Sequence, residues 1–137
     1  IGLDEWRDQL GEYDWVFVSA PATDETQKML GEAEFAAMKS SAWLVNVARG
    51  SLVDQDALVD ALNSKAIGGA ALDVTDPEPL PKDHPLWDAP NCLITMHLSG
   101  QAQTRMFQRA AARFVENLKA YQNGTDMIAV ADFDRGY

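Results

Sequence analysis

Arg49, Glu78 and His97 are residue types that together could make one reaction centre. They lie in the segments VNVARGSLVD, ALDVTDPEPL and LITMHLSG, each a short apolar run followed by a polar or Gly/Pro-rich turn. Arg49 can hold a carboxylate through two parallel hydrogen bonds, which fixes orientation as well as charge. His97 is the side chain suited to exchanging a proton near neutral pH. A carboxylate such as Glu78 beside it favours the imidazolium and sets the ring's orientation. The set suits reduction of the keto group of a 2-oxo acid. Arg49 anchors the acid, and His97, backed by Glu78, protonates the carbonyl oxygen as hydride arrives. Taken singly, each residue is more often a surface or capping side chain, so the chemistry rests on their joint placement.

Joint placement needs a scaffold, and the apolar runs supply one. Short runs rich in β-branched residues read as buried strands of a parallel sheet. They are expected at 15–19 (WVFVS), 43–47 (WLVNV), 68–74 (GGAALDV) and 92–96 (CLITM). Arg49, Glu78 and His97 then each fall just past the carboxyl end of a strand, the edge where open α/β sheets bind ligands. Helical patterns at 3–12, 32–39, 55–63 and 101–122 alternate with the strands, which predicts an α/β fold. Asp54 is a good N-cap for the third helix, and Gly124 a stop for the last. Gly68 and Gly69 allow a neighbouring backbone to come close. The Pro-rich stretch 76–91 is a long loop of the kind that often carries function. In the last helix Ala102, Met106, Ala110, Phe114 and Leu118 share one face, which predicts core or interface packing.

Composition narrows the function classes. At 137 residues and 47% hydrophobic content the chain can build a real core. A net charge of −10 argues against a nucleic-acid surface and against anionic membranes. No run reaches membrane-spanning length and no signal peptide is visible. Cys92 is the only cysteine, which excludes an intrachain disulfide and fits a cytoplasmic protein. Its apolar surroundings, CLIT, predict a buried structural thiol rather than a nucleophile. No metal is expected.

The blocks N-x-A-R-G, L-D-V-x-x-x-E-P-L and T-x-H, in that order and followed by a long helix, resemble the NAD-binding domain of D-isomer-specific 2-hydroxyacid dehydrogenases. The likeness runs from about residue 3 to the tail. It implies a Rossmann-like parallel sheet and an oxidoreductase that moves hydride between NAD or NADP and a small 2-oxo or 2-hydroxy acid, of the glyoxylate/hydroxypyruvate reductase kind. It implies catalytic roles for Arg49, Glu78 and His97. Cofactor contacts are implied at Ala20, Pro21 and Thr26, at Val47, Ala48 and Arg49, at Asp73, and at Ser99 and Gly100. The counterpart of Asp73 binds the nicotinamide carboxamide. Glu78 sets the chain apart from the related formate dehydrogenases, whose pattern has Gln there. Met96 stands where the family usually has Pro before the catalytic His. A homodimer through this domain is also implied. A non-catalytic NAD-sensing module of the same family is the competing reading, since such sensors can keep the triad.

The resemblance also implies parts that this sequence does not contain. It lacks a G-x-G-x-x-G turn. The first two Rossmann strands and a separate substrate domain are expected upstream of Ile1. Residues 1–123 then read as the second part of the dinucleotide domain, and 124–137 as a tail leading back toward the substrate domain. With WVFVS taken as strand 3 of the order 3-2-1-4-5-6, a two-strand gap is expected between WVFVS and WLVNV. The 137 residues alone are expected to be inactive.

Overall fold

A computed structural model describes residues 5–100 and 105–134. The chain divides into two compact units, Ile1–His97 and Leu98–Tyr137.

The first unit is built on four parallel strands, β1 (Trp15–Val18), β2 (Trp43–Asn46), β3 (Gly69–Leu72) and β4 (Cys92–Ile94). Helix α1 (Glu32–Ala37) joins β1 to β2, and α2 (Gln55–Asn63) joins β2 to β3. Asp54 caps α2 as expected, its Oδ1 accepting the Ala57 N–H at 3.3 Å. The glycine pair does what its position suggested. A Cβ on Gly68 would strike the Ser41 carbonyl, and one on Gly69 would strike the Trp43 ring.

Strand order corrects one expectation. The sheet runs β1-β2-β3-β4, with Trp15 beside Trp43 and Val18 beside Asn46, so no gap separates WVFVS from WLVNV. The reason lies in the connections. Each βαβ crossover is right-handed by strong preference, and repeated crossovers in one direction step outward one strand at a time. In a doubly wound sheet each half steps outward from the switch point in this way, so four strands in unbroken succession belong to one half. WVFVS therefore opens that outward run, rather than closing the half before it.

Burial corrects a second. Rows across the sheet alternate between its faces. The row Val16, Leu44, Ala70, Cys92 and the row Val18, Asn46, Leu72, Ile94 lie on one side with the core residues Leu30, Phe35, Leu52, Leu58 and Leu62. The row Phe17, Val45, Ala71, Leu93 lies on the other, where Phe17 is 66% exposed and Leu93 59%. The strands were expected to be buried on both faces. Two successive crossovers in one direction put α1 and α2 on the same side, so within the first unit only that face is well covered.

Residues 7–12 form a 3₁₀ helix rather than an α-helix, with Leu10 its one buried residue. The second unit holds α3 (Arg105–Asn123), ended by Gly124 in the left-handed region at φ +66°. The tail folds back onto α3, where the Asn117 side chain exchanges two hydrogen bonds of 2.9 Å with the Ile128 backbone. Of the expected stripe, Ala102 lies outside the described residues. Met106, Ala110, Phe114 and Leu118 are exposed, so the stripe is not buried within the second unit.

Candidate active site

Four parallel neighbours bring four loops to one edge. Past β1 comes Ala20–Thr26, past β2 Val47–Arg49, past β3 Asp73–Glu78, and past β4 Thr95–His97. Every residue singled out within the first unit falls in one of them.

The Arg49 turn is set by a residue that the sequence reading passed over. Asn46 ends β2 and is 1% exposed. Its Oδ1 accepts the Ala48 N–H at 3.0 Å, and its Nδ2 donates to the Arg49 carbonyl at 2.8 Å. A buried carboxamide must be satisfied, and here the tight turn satisfies both its ends. The turn leaves Arg49 exposed, with Nη1 donating back to the Ala48 carbonyl at 2.7 Å. The remaining guanidinium N–H groups have no partner among the described residues.

Glu78 and His97 meet directly. Nδ1 of His97 lies 2.9 Å from Oε2 of Glu78, while Oε1 accepts the Thr75 N–H at 3.0 Å. Both carboxylate oxygens are therefore engaged, and the ring's other nitrogen, Nε2, has no partner among the described residues. The hydrogen bond from His97 holds the Glu78 carboxyl below its ordinary range. Slight burial opposes this, and the Thr75 N–H and the charges of His97 and Arg49 support it. The peptide bonds Asp76–Pro77 and Glu78–Pro79 are both cis.

The backbone turns sharply at His97, whose φ of +52° lies in the left-handed region. Its N–H donates to the Asp73 carbonyl at 2.8 Å, which ties the turn to the end of β3. Asp73 is itself 7% exposed, and its carboxylate accepts the Thr95 hydroxyl at 2.5 Å. Asn46 and Thr95 share one signal that could have found them: a polar residue at the end of an otherwise apolar strand.

The loop past β1 is braced by Thr26, whose hydroxyl donates to the Pro21 carbonyl at 2.8 Å and accepts the Thr23 N–H at 2.8 Å. Ala20, Val47 and Ala48 complete that end of the edge with small side chains. Ser99 and Gly100 form an exposed turn that belongs to the second unit. Cys92 is not poised for chemistry, because burial pushes its thiol up to about 11.

The edge suits a nicotinamide dinucleotide. It offers a surface of small residues and a braced loop, with the anchored Asp73 carboxylate as acceptor for an amide. Arg49 and the Glu78–His97 pair lie on the adjoining loops.

Comparison with known proteins agrees. Residues 2–99 match the family model for the NAD-binding domain of D-isomer specific 2-hydroxyacid dehydrogenases. Over all 137 residues the chain is 40% identical to an uncharacterised protein of Corynebacterium melassecola, 45% of which it covers. It is 42% identical over 115 residues to glyoxylate/hydroxypyruvate reductase B of Pectobacterium carotovorum, which takes in 84% of this chain and 36% of that enzyme. A D-isomer specific 2-hydroxyacid dehydrogenase of Xanthobacter autotrophicus, solved with NADPH and MES, superposes with a TM-score of 0.87 at 38% identity. That match covers 99% of this chain and 55% of the other. The chain thus spans about half the length, or less, of these relatives.

Proposed function

Because the chain belongs to the D-isomer-specific 2-hydroxyacid dehydrogenase family, as part of its NAD-binding domain, we propose that it carries the acid–base and substrate-anchoring groups of an enzyme that reduces a small 2-oxo acid to its D-2-hydroxy acid. Nicotinamide cofactor, NADH or NADPH, supplies the hydride. Asp73 holds the carboxamide, and Ala20, Pro21, Thr26, Val47, Ala48, Ser99 and Gly100 line the cofactor's path.

The chain's own residues divide the remaining work. Arg49, with guanidinium N–H groups that have no partner among the described residues, grips the substrate carboxylate in a two-bond fork. His97, its Nδ1 held by Glu78, turns Nε2 to the carbonyl oxygen and gives it a proton as negative charge builds there. Glu78 fixes the ring's tautomer and keeps the imidazolium favourable before transfer. The observation that carries this reading is the 2.9 Å Glu78–His97 pair at the strand edge that also bears Arg49.

Residues 1–123 serve as the second part of the dinucleotide domain in this reading, with 124–137 returning toward a substrate domain. The exposed apolar side chains of α3, Phe114 and Leu118 among them, support a homodimer. The single cysteine supports a cytoplasmic setting. Among the described residues no helix is long and apolar enough to cross a membrane.

The test is oxidation of NADH and NADPH by the whole protein with glyoxylate and hydroxypyruvate, the acids named for its Pectobacterium relative. Steady turnover with either acid is expected. Cofactor binding without turnover on any 2-oxo acid would overturn the reading and leave a sensor module.

A further inference from the structure

The Glu78 loop is held from beneath by a residue with no assigned role. Gln55 is the first residue of α2, and the Asp54 cap fixes where its side chain begins. Its carboxamide makes two bonds to the backbone of one residue, Asp76, in the neighbouring loop. Oε1 accepts the Asp76 N–H at 2.9 Å, and Nε2 donates to the Asp76 carbonyl at 2.5 Å. This is the two-bond pattern of a strand pair, made by a side chain. Gly50, directly after Arg49, presses on the same place, since a Cβ there would fall inside the Thr75–Asp76 peptide.

The Thr75–Asp76 segment is the mount of Glu78. The Thr75 N–H donates to Glu78 Oε1, and the Thr75 hydroxyl donates to the Pro77 carbonyl at 3.1 Å. Only Pro77 separates Asp76 from Glu78, and its ring fixes φ. A shift of the Asp76 backbone therefore passes to the Glu78 carboxylate with little slack. Gln55 lines a solvent-open cleft of about 190 Å³ with Lys28, Asp54, Asp56, Asp76 and His84. Water would compete for the Asp76 backbone groups if the clamp were absent.

We propose that Gln55 is a positioning residue for the Glu78–His97 pair, its carboxamide clamping the Asp76 backbone against Gly50 so that the acid pair and Arg49 keep a fixed spacing. The consequence for turnover rests on the function proposed above, whereas the consequence for Glu78 does not.

The test compares Gln55→Ala and Gln55→Glu with the unaltered protein, reading both kcat and the Glu78 carboxyl titration by ¹³C NMR. Glu78 titrates below its ordinary range because His97 and the Thr75 N–H stabilise its carboxylate. Loss of the clamp loosens both contacts, so its titration should rise toward the ordinary carboxylate range in Gln55→Ala. In the same variant kcat should fall about tenfold, short of the roughly 100-fold cost of a 1 Å misplacement, with KM for NAD(P)H unchanged. Gln55→Glu keeps an oxygen to accept the Asp76 N–H and should recover part of both effects. A folded Gln55→Ala protein whose Glu78 titration does not move would overturn the proposal. If the unaltered whole protein shows no turnover but the titration still moves, the positioning role stands and the proposed function falls.

Discussion

The two faces of the sheet carry similar apolar residues yet behave oppositely. On the covered face Leu44 and Ala70 are fully buried and Leu72 is 2% exposed. On the open face Trp15 is 55% exposed and Phe17 66%. Both sets obey the same alternation, so alternation tells which residues share a face and not what covers it. The difference also locates the rigid side of the candidate site. Asn46, which shapes the Arg49 turn, stands in a covered row between Val18 and Leu72. The site therefore takes its geometry from the packed side.

Substitutions on the two faces sharpen this contrast. Leu44→Ala removes a fully buried side chain at the centre of the covered face, and should cost about 2–5 kcal/mol of stability. Chemical denaturation would measure it. A loss within the range of ordinary surface changes would mean that this face is not the structural side.

Asn46→Ala should come next, at about 1–3 kcal/mol, since it strands the Ala48 N–H and leaves the Arg49 carbonyl with only the 3.4 Å bond from the Leu52 N–H. It should also lower kcat/KM for the 2-oxo acid. Stability lost with kcat/KM intact would show that the turn does not position Arg49.

Arg49→Lys keeps the charge but loses the planar fork, and should cut kcat/KM for 2-oxo acids more than about tenfold, near 1.4 kcal/mol, with NAD(P)H affinity almost unchanged. A collapse of cofactor affinity instead would make Arg49 a cofactor residue.

Phe17→Ser on the open face should stay within about 0.5 kcal/mol in this chain. A cost as large as that of Leu44→Ala would erase the distinction between the faces.

Much of this was legible beforehand, and the failures have specific causes. All four strands, α2 with its Asp54 cap and the Gly124 stop follow from local rules, and they appear where expected. The ladder position of WVFVS depends on the direction of its crossovers, which no local pattern records. The exposure of Phe17 and of the α3 stripe depends on which surfaces meet, and that is tertiary. Arg49, Glu78 and His97 stood out as candidates because each is a charged or titratable type just past an apolar run, and the 2.9 Å contact of Glu78 with His97 follows from the adjacency of β3 and β4. Asn46 and Gln55 were missed because their bonds go to backbone groups, and Thr95 because its partner, the Asp73 carboxylate, is 22 residues away. A polar side chain bonded to a turn looks, in sequence, like any other polar residue near a strand or helix end.

The Glu78–His97 pair as proton source is tested most directly by kcat of His97→Ala in the whole protein. General acid catalysis of this kind is worth about 100-fold or more, so kcat should fall at least that far while NAD(P)H still binds. A near-normal kcat in that variant would contradict the account.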